Sequence, residues 1–134
     1  CEATETGCTM MGCMDGLDVE FAAATWPVGT YHVEVVADGE LTSCTATLPL
    51  NTTQASTCTA STVLLGTSGS ALAAGEHRLT GVIILSMPDA ATITIDRDGT
   101  VLHTSSFAPA WVVSQPNGPS CGPTCKQANT KLSW

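Results

Sequence analysis

Along most of the chain apolar residues alternate with polar ones, a period of two that lays them on one face of a strand. The clearest stretch is 29–50, GTYHVEVVADGELTSCTATLPL. Tyr31, Val33 and Val35 alternate there with His32 and Glu34. Asp38-Gly39 supplies the positive φ angles of a tight hairpin turn. Cys44, Ala46 and Leu48 then alternate on the way back. The pattern predicts a β-hairpin with one buried face that carries Cys44. A hairpin alone is marginal in water, so the rest of the chain must supply strands to cover it.

It does so in short segments. Leu17, Val19 and Phe21 predict a first strand after a turn at Met14-Asp15-Gly16. Val63-Leu64-Leu65 is short and apolar, and Gly81–Leu85 is a continuous apolar run of the kind covered on both faces. Ile93 and Ile95 mark a strand over 92–96, Asp98-Gly99 a second hairpin turn, and 101–107 the return. Trp111-Val112-Val113 extends that return strand past Pro109. Ala128, Thr130, Leu132 and Trp134 alternate to the last residue. The segment 67–76 reads either as a helical turn or as a loop, and its glycines favour the loop. The expected fold is an all-β, antiparallel, immunoglobulin-like sandwich of about seven or eight strands, with turns at roughly 8–12-residue spacing. It forms one domain over 1–134, with 1–14 as an N-terminal leader.

Composition narrows the class. Charged residues make up 12 % of the chain, and the net charge is −8 with four Lys and Arg. Arg78, Arg97, Lys126 and Lys131 are scattered, which excludes the basic cluster that a phosphate backbone requires. An anionic membrane surface is disfavoured for the same reason. No apolar run approaches the roughly 18–20 residues that span a bilayer.

Seven cysteines point to an oxidising compartment and a disulfide-stapled chain. Cys44 and Cys58 flank a strand and the loop after it. A bridge there closes a loop of about 15 residues, worth roughly 3 kcal/mol in the chain-entropy model. Cys8 and Cys13 precede the first strand, and Cys121 and Cys125 precede the last. In immunoglobulin-like sandwiches first and last strands often run parallel as neighbours, so the two groups either cross-link or pair locally. The expectation is three intramolecular disulfides. Cys1 is the odd cysteine. It is a candidate for lipidation, as in mature bacterial lipoproteins, or else a free or intermolecular thiol. One acyl chain anchors only marginally.

Candidate chemistry is sparse. Cys8, Met10, Met11, Cys13 and Met14 are sulfur-rich, and soft ligands select copper(I), with His32, His77 or His103 as a nitrogen donor. Disulfide-bonded cysteines are not thiolates, however, and such methionines more often pack. Asp96-Arg97-Asp98-Gly99 begins like a calcium loop but lacks its later oxygen ligands. A hairpin turn explains the same residues. Asp15, Asp18 and Glu20 read as a solvated strand face, and the three histidines as residues of solvated strands or loops. Residues 66–70 do not match a nucleophile elbow, and no cofactor or metal is assigned. Asn51-Thr52-Thr53 is a sequon, meaningful only in a eukaryotic secretory host. Trp26, Trp111 and Trp134 read either as an aromatic platform or as packing.

The tail Pro116–Ala128 (PNGPSCGPTCKQA) resembles small secreted or lipid-anchored proteins of a myxobacterial type. So do Gly12–Leu17, Ala37-Asp38-Gly39, Cys44–Pro49 and Ser68–Leu72. The resemblance covers most of the chain. It implies an immunoglobulin-like sandwich at the cell surface or in the periplasm, and it assigns no function and no active-site residue.

The resulting expectation is a non-enzymatic extracellular or cell-surface structural protein. The chain has two Lys with which to blunt sheet edges. Its leader can therefore add to a neighbour's edge and propagate a filament. One alternative is a monomeric surface lipoprotein that binds a ligand or an envelope partner. Another is a small copper-binding periplasmic protein.

Overall fold

The computed structural model describes residues 12–51 and 56–134. Ten strands are present: β1 (Gly16–Ala22), β2 (Gly29–Ala37), β3 (Glu40–Leu48), β4 (Thr57–Cys58), β5 (Val63–Ser68), β6 (Arg78–Ile84), β7 (Ala91–Arg97), β8 (Thr100–Phe107), β9 (Val112–Ser114) and β10 (Cys125–Ser133). They form two five-stranded sheets packed face to face, ordered β5-β6-β1-β10-β9 and β4-β3-β2-β7-β8. The architecture is the expected β-sandwich. The strands beyond the expected seven or eight are β4 and β9, which hold two and three residues. β1 and β10, first and last, pair in parallel, and the other pairings are antiparallel. The strand order is not that of an antibody constant domain, whose first two strands pair.

Alternation builds the core. Leu17, Val19 and Phe21 of β1 face Tyr31, Val33 and Val35 of β2 across the interior, joined by Cys44, Ala46, Leu48, Ile93 and Ile95. β2 and β3 pair without a slip from Gly29↔Leu48 to Ala37↔Glu40. Asp38 (φ 49°) and Gly39 (φ 84°) make the turn, and Asp98 (φ 51°) and Gly99 (φ 87°) repeat it between β7 and β8.

The structure corrects three expectations. The run 81–85 is not covered on both faces. Val82 and Ile84 are buried, but Ile83 is 43 % exposed. A bulge explains the pattern. The β5–β6 register passes from Gly66↔Gly81 to Thr67↔Leu79, so Thr80 is the extra residue and both Leu79 and Val82 turn inward. Gly81 is required there. Its φ is 151°, and a Cβ would lie 2.0 Å from the Val19 carbonyl oxygen.

The segment 111–113 does not prolong β8. The chain crosses to the other sheet after Phe107, and β9 pairs with β10. The Trp111 indole donates to the Pro88 carbonyl (3.1 Å).

His77 is not solvated. It is 6 % exposed. Its Nδ1 accepts from the Leu50 amide (2.8 Å) and its Nε2 lies 3.0 Å from the Leu72 carbonyl. The ring therefore carries its proton on Nε2 and ties the loop before β4 to the loop after β5. The ambiguous segment 67–76 ends β5, turns, and makes a short 3-10 helix at Ala74–Glu76.

Candidate functional site

The disulfides fix the frame. Cys44 and Cys58 sit directly opposite each other on β3 and β4, with Cα atoms 4.0 Å apart. Ser43 and Thr59 lie beside them. The Thr59 amide donates to the Ser43 carbonyl (2.9 Å), and the Ser43 amide donates to Thr59 Oγ1 (3.0 Å). The bridge thus holds a two-residue strand on the edge of β3.

Cys13 and Cys125 are 112 residues apart in sequence and bonded. The parallel pairing of β1 and β10 places their starts together, from Gly16↔Gln127 onward. Two hydrogen bonds surround the staple. The Lys126 amide donates to Asp15 Oδ1 (2.8 Å), and Gln127 Nε2 donates to the Met14 carbonyl (3.0 Å). Of the two open pairings, Cys13–Cys125 is the cross-link between groups. Cys121 is also disulfide-bonded. Cys1, Cys8, Met10 and Met11 lie outside the described residues, as do Thr52 and Thr53 of the sequon. Disulfides persist where the environment is oxidising, as it is outside the cell and in the periplasm. No helix among the described residues is long and apolar enough to cross a membrane.

The remaining candidates separate in space. Cys13 has no thiolate to offer copper, and no group of three metal-binding side chains occurs among the described residues. Asp96 lies 3.5 Å from His32 Nδ1 and accepts from the Gly99 amide (3.2 Å), so it serves the hairpin. Asp15 caps β10. Asp18 and Glu20 are exposed on β1, opposite Asn129 and Lys131.

Trp26 and Trp134 pack edge to face (5.3 Å between centroids) with Phe21 and Tyr31 at one end of the sandwich, and His103 stacks on Trp134. Trp111 is elsewhere, so the three tryptophans form no common platform. Tyr31 is fully buried and its hydroxyl donates to the Pro27 carbonyl. Burial pushes the Tyr31 phenol above its ordinary range, and the nearby Arg97 guanidinium pulls it partly back.

The outer face of the second sheet carries hydroxyls. Thr45 and Thr47 on β3, Thr92 and Thr94 on β7, and Thr104 and Ser106 on β8 alternate with inward residues. Thr92 and Ser106 bond across strands at 2.8 Å, and Thr104 donates to Thr94 at 3.4 Å. β8 ends this sheet, with β7 on one side and no described strand on the other. Its sequence, TVLHTSSF, contains no Lys, Arg, Asp, Glu or Pro. A bulge at Leu102 interrupts its start. From His103 to Phe107 the pairing with Ile95 to Ala91 is one to one, so a regular uncharged edge faces outward. Sequence reading did not single out this strand as an edge, because strand order is not encoded locally. Comparison with family models, curated proteins and solved structures finds no match to the chain.

Proposed function

We propose that this chain is a non-enzymatic structural protein of the bacterial cell surface or extracellular space, and that it assembles with copies of itself by strand addition at β8. The observation that carries the reading is the open, charge-free edge from His103 to Phe107. Natural sheets commonly blunt such edges with charge or Pro, and β8 carries neither. A chain of net charge −8 repels its own copies except over uncharged surface, and β8 with its row of hydroxyls is such a surface. The donor is the leader ahead of β1, whose base is pinned by Cys13–Cys125 at the start of β10. Donor and acceptor differ, so the contact is heterologous and grows into a filament. A lipid on Cys1 would tether the first copy, and the resemblance of the sequence to secreted or lipid-anchored proteins is the ground for that placement.

The test is negative-stain imaging and size exclusion of the native protein beside Thr104→Lys and Ser106→Lys variants. Polymers in the native sample that disappear in the variants support the reading. Monomers at high concentration overturn it.

A further inference from the structure

At the end of the sandwich that holds the Asp38-Gly39 turn, the two sheets part around a cleft of about 260 Å³. Thr42, Val63, Ile84, Met87, Asp38 and Glu40 line it; the first three are buried and the last three exposed. Thr42 is the unexpected member. It lies on the inward face of β3, in phase with Cys44, Ala46 and Leu48, and it is 4 % exposed. Its hydroxyl has no hydrogen-bond partner among the described residues. Valine would fill the same space without a polar group to satisfy. Glu40, two residues earlier on the same face, is exposed and unpaired among the described residues. Asp38 adds a second carboxylate. None of the four Lys and Arg lines the cleft.

We infer that this cleft receives a lysine side chain from a partner polypeptide. The chemistry matches part by part. Val63, Ile84 and Met87 cover the methylene stem. The ammonium has three donors and meets the Thr42 hydroxyl together with the Glu40 carboxylate. Asp38 already accepts the Asp89 and Ala90 amides (3.0–3.1 Å) and contributes charge rather than a further bond. The cleft is smaller than the roughly 300–1,000 Å³ typical of small-molecule pockets, and it is open at the mouth. Both features suit one side chain presented by another chain. No residue of β8 lines the cleft, and the site does not depend on assembly there.

The experiment is an amide chemical-shift titration of the whole isotope-labelled protein with the peptide Gly-Gly-Lys-Gly-Gly, its acetyl-lysine form, and butylamine. The expected result is saturable shifts at Leu41, Thr42 and Ser43 with the lysine peptide and none with the acetylated one. Affinity should fall about tenfold or more in Glu40→Gln, as for a lost hydrogen bond to a charged group. Glu40 is at the surface, so that variant folds. Absent shifts, equal shifts with acetyl-lysine, or an unchanged affinity in Glu40→Gln would each overturn the site. Butylamine binding as tightly as the peptide would overturn the polypeptide partner.

Discussion

Asp38 and Asp98 each hold the other hairpin's strand. Asp38 ends β2, and its carboxylate accepts the amides of Asp89 and Ala90, which lead into β7. Asp98 ends β7, and its Oδ1 accepts the amide of Thr30 at the start of β2 (2.9 Å). Their backbones repeat the exchange: the Asp38 amide donates to the Ala90 carbonyl and the Asp98 amide to the Thr30 carbonyl. The hairpins β2–β3 and β7–β8 are thus related by a local two-fold axis through the β2–β7 pair, and each turn clamps the far end of that pair.

The two clamps should therefore cost similar amounts when removed. Asp38→Ala and Asp98→Ala are each expected to destabilise by about 1–2 kcal/mol, from the lost bonds and from alanine at positive φ. Asn at either position should recover most of the loss, since it tolerates that backbone and keeps an acceptor oxygen. Urea denaturation of the four variants checks the symmetry.

Gly81 and Gly39 both have positive φ, but only Gly81 is crowded. Gly81→Ala should cost more than about 3 kcal/mol or prevent folding, because the clash is with the β1 backbone rather than a movable side chain. Gly39→Ala meets open space and should cost only about 1–2 kcal/mol of conformational strain. Thermal melts that rank the two the other way would contradict the bulge.

Replacing His77 by Phe preserves a ring but removes the acceptor for Leu50 and the donor for Leu72. A loss of about 1–3 kcal/mol is expected. Hydrogen exchange should show the Leu50 amide losing protection before the strands do.

Tyr31 gives a pH dependence. Its folded pKa is raised by burial, so the folded state holds the phenol proton more tightly than the unfolded chain does. The stabilisation is complete below the unfolded value of about 10 and is lost as pH rises through the folded value. The chain has a single tyrosine, so tyrosinate absorbance in an alkaline titration reads this residue alone. Ionisation should be delayed in the native protein and return to normal in denaturant. Tyr31→Phe should remove that part of the alkaline instability.

The hairpins could be read from the sequence because each is a local object: Asp-Gly at 38–39 and 98–99 sets the turn, and alternation within a few residues sets the face. The parallel neighbours β1 and β10 followed from a rule about sandwiches rather than from their residues. What stayed hidden depends on distant parts of the chain. Gly81 reads as an ordinary glycine until Val19 lies against it. Ile83 looks like core until the bulge at Thr80 sets its parity. Val112 and Val113 read as a continuation of β8, since nothing local records the crossing to the other sheet. Thr42 fits the polar–apolar texture of its strand, and its missing partner is visible only once β5 and β6 close the other wall. The edge status of β8 is likewise a property of strand order.

The Cys13–Cys125 bond also determines how the protein bears tension. A pull between residues ahead of Cys13 and the end of the chain would otherwise load β1 against β10 in shear, across seven paired positions. With the bond intact, force enters β10 directly at Cys125 and leaves at Trp134. The span from Met14 to Ser120 is then mechanically bypassed. Only β10 is stretched, a strand already nearly extended at roughly 3.3 Å per residue. Under load the oxidised protein behaves as a short inextensible link with a folded body hung beside it. Reduction would convert the same chain into one that can pay out its full length.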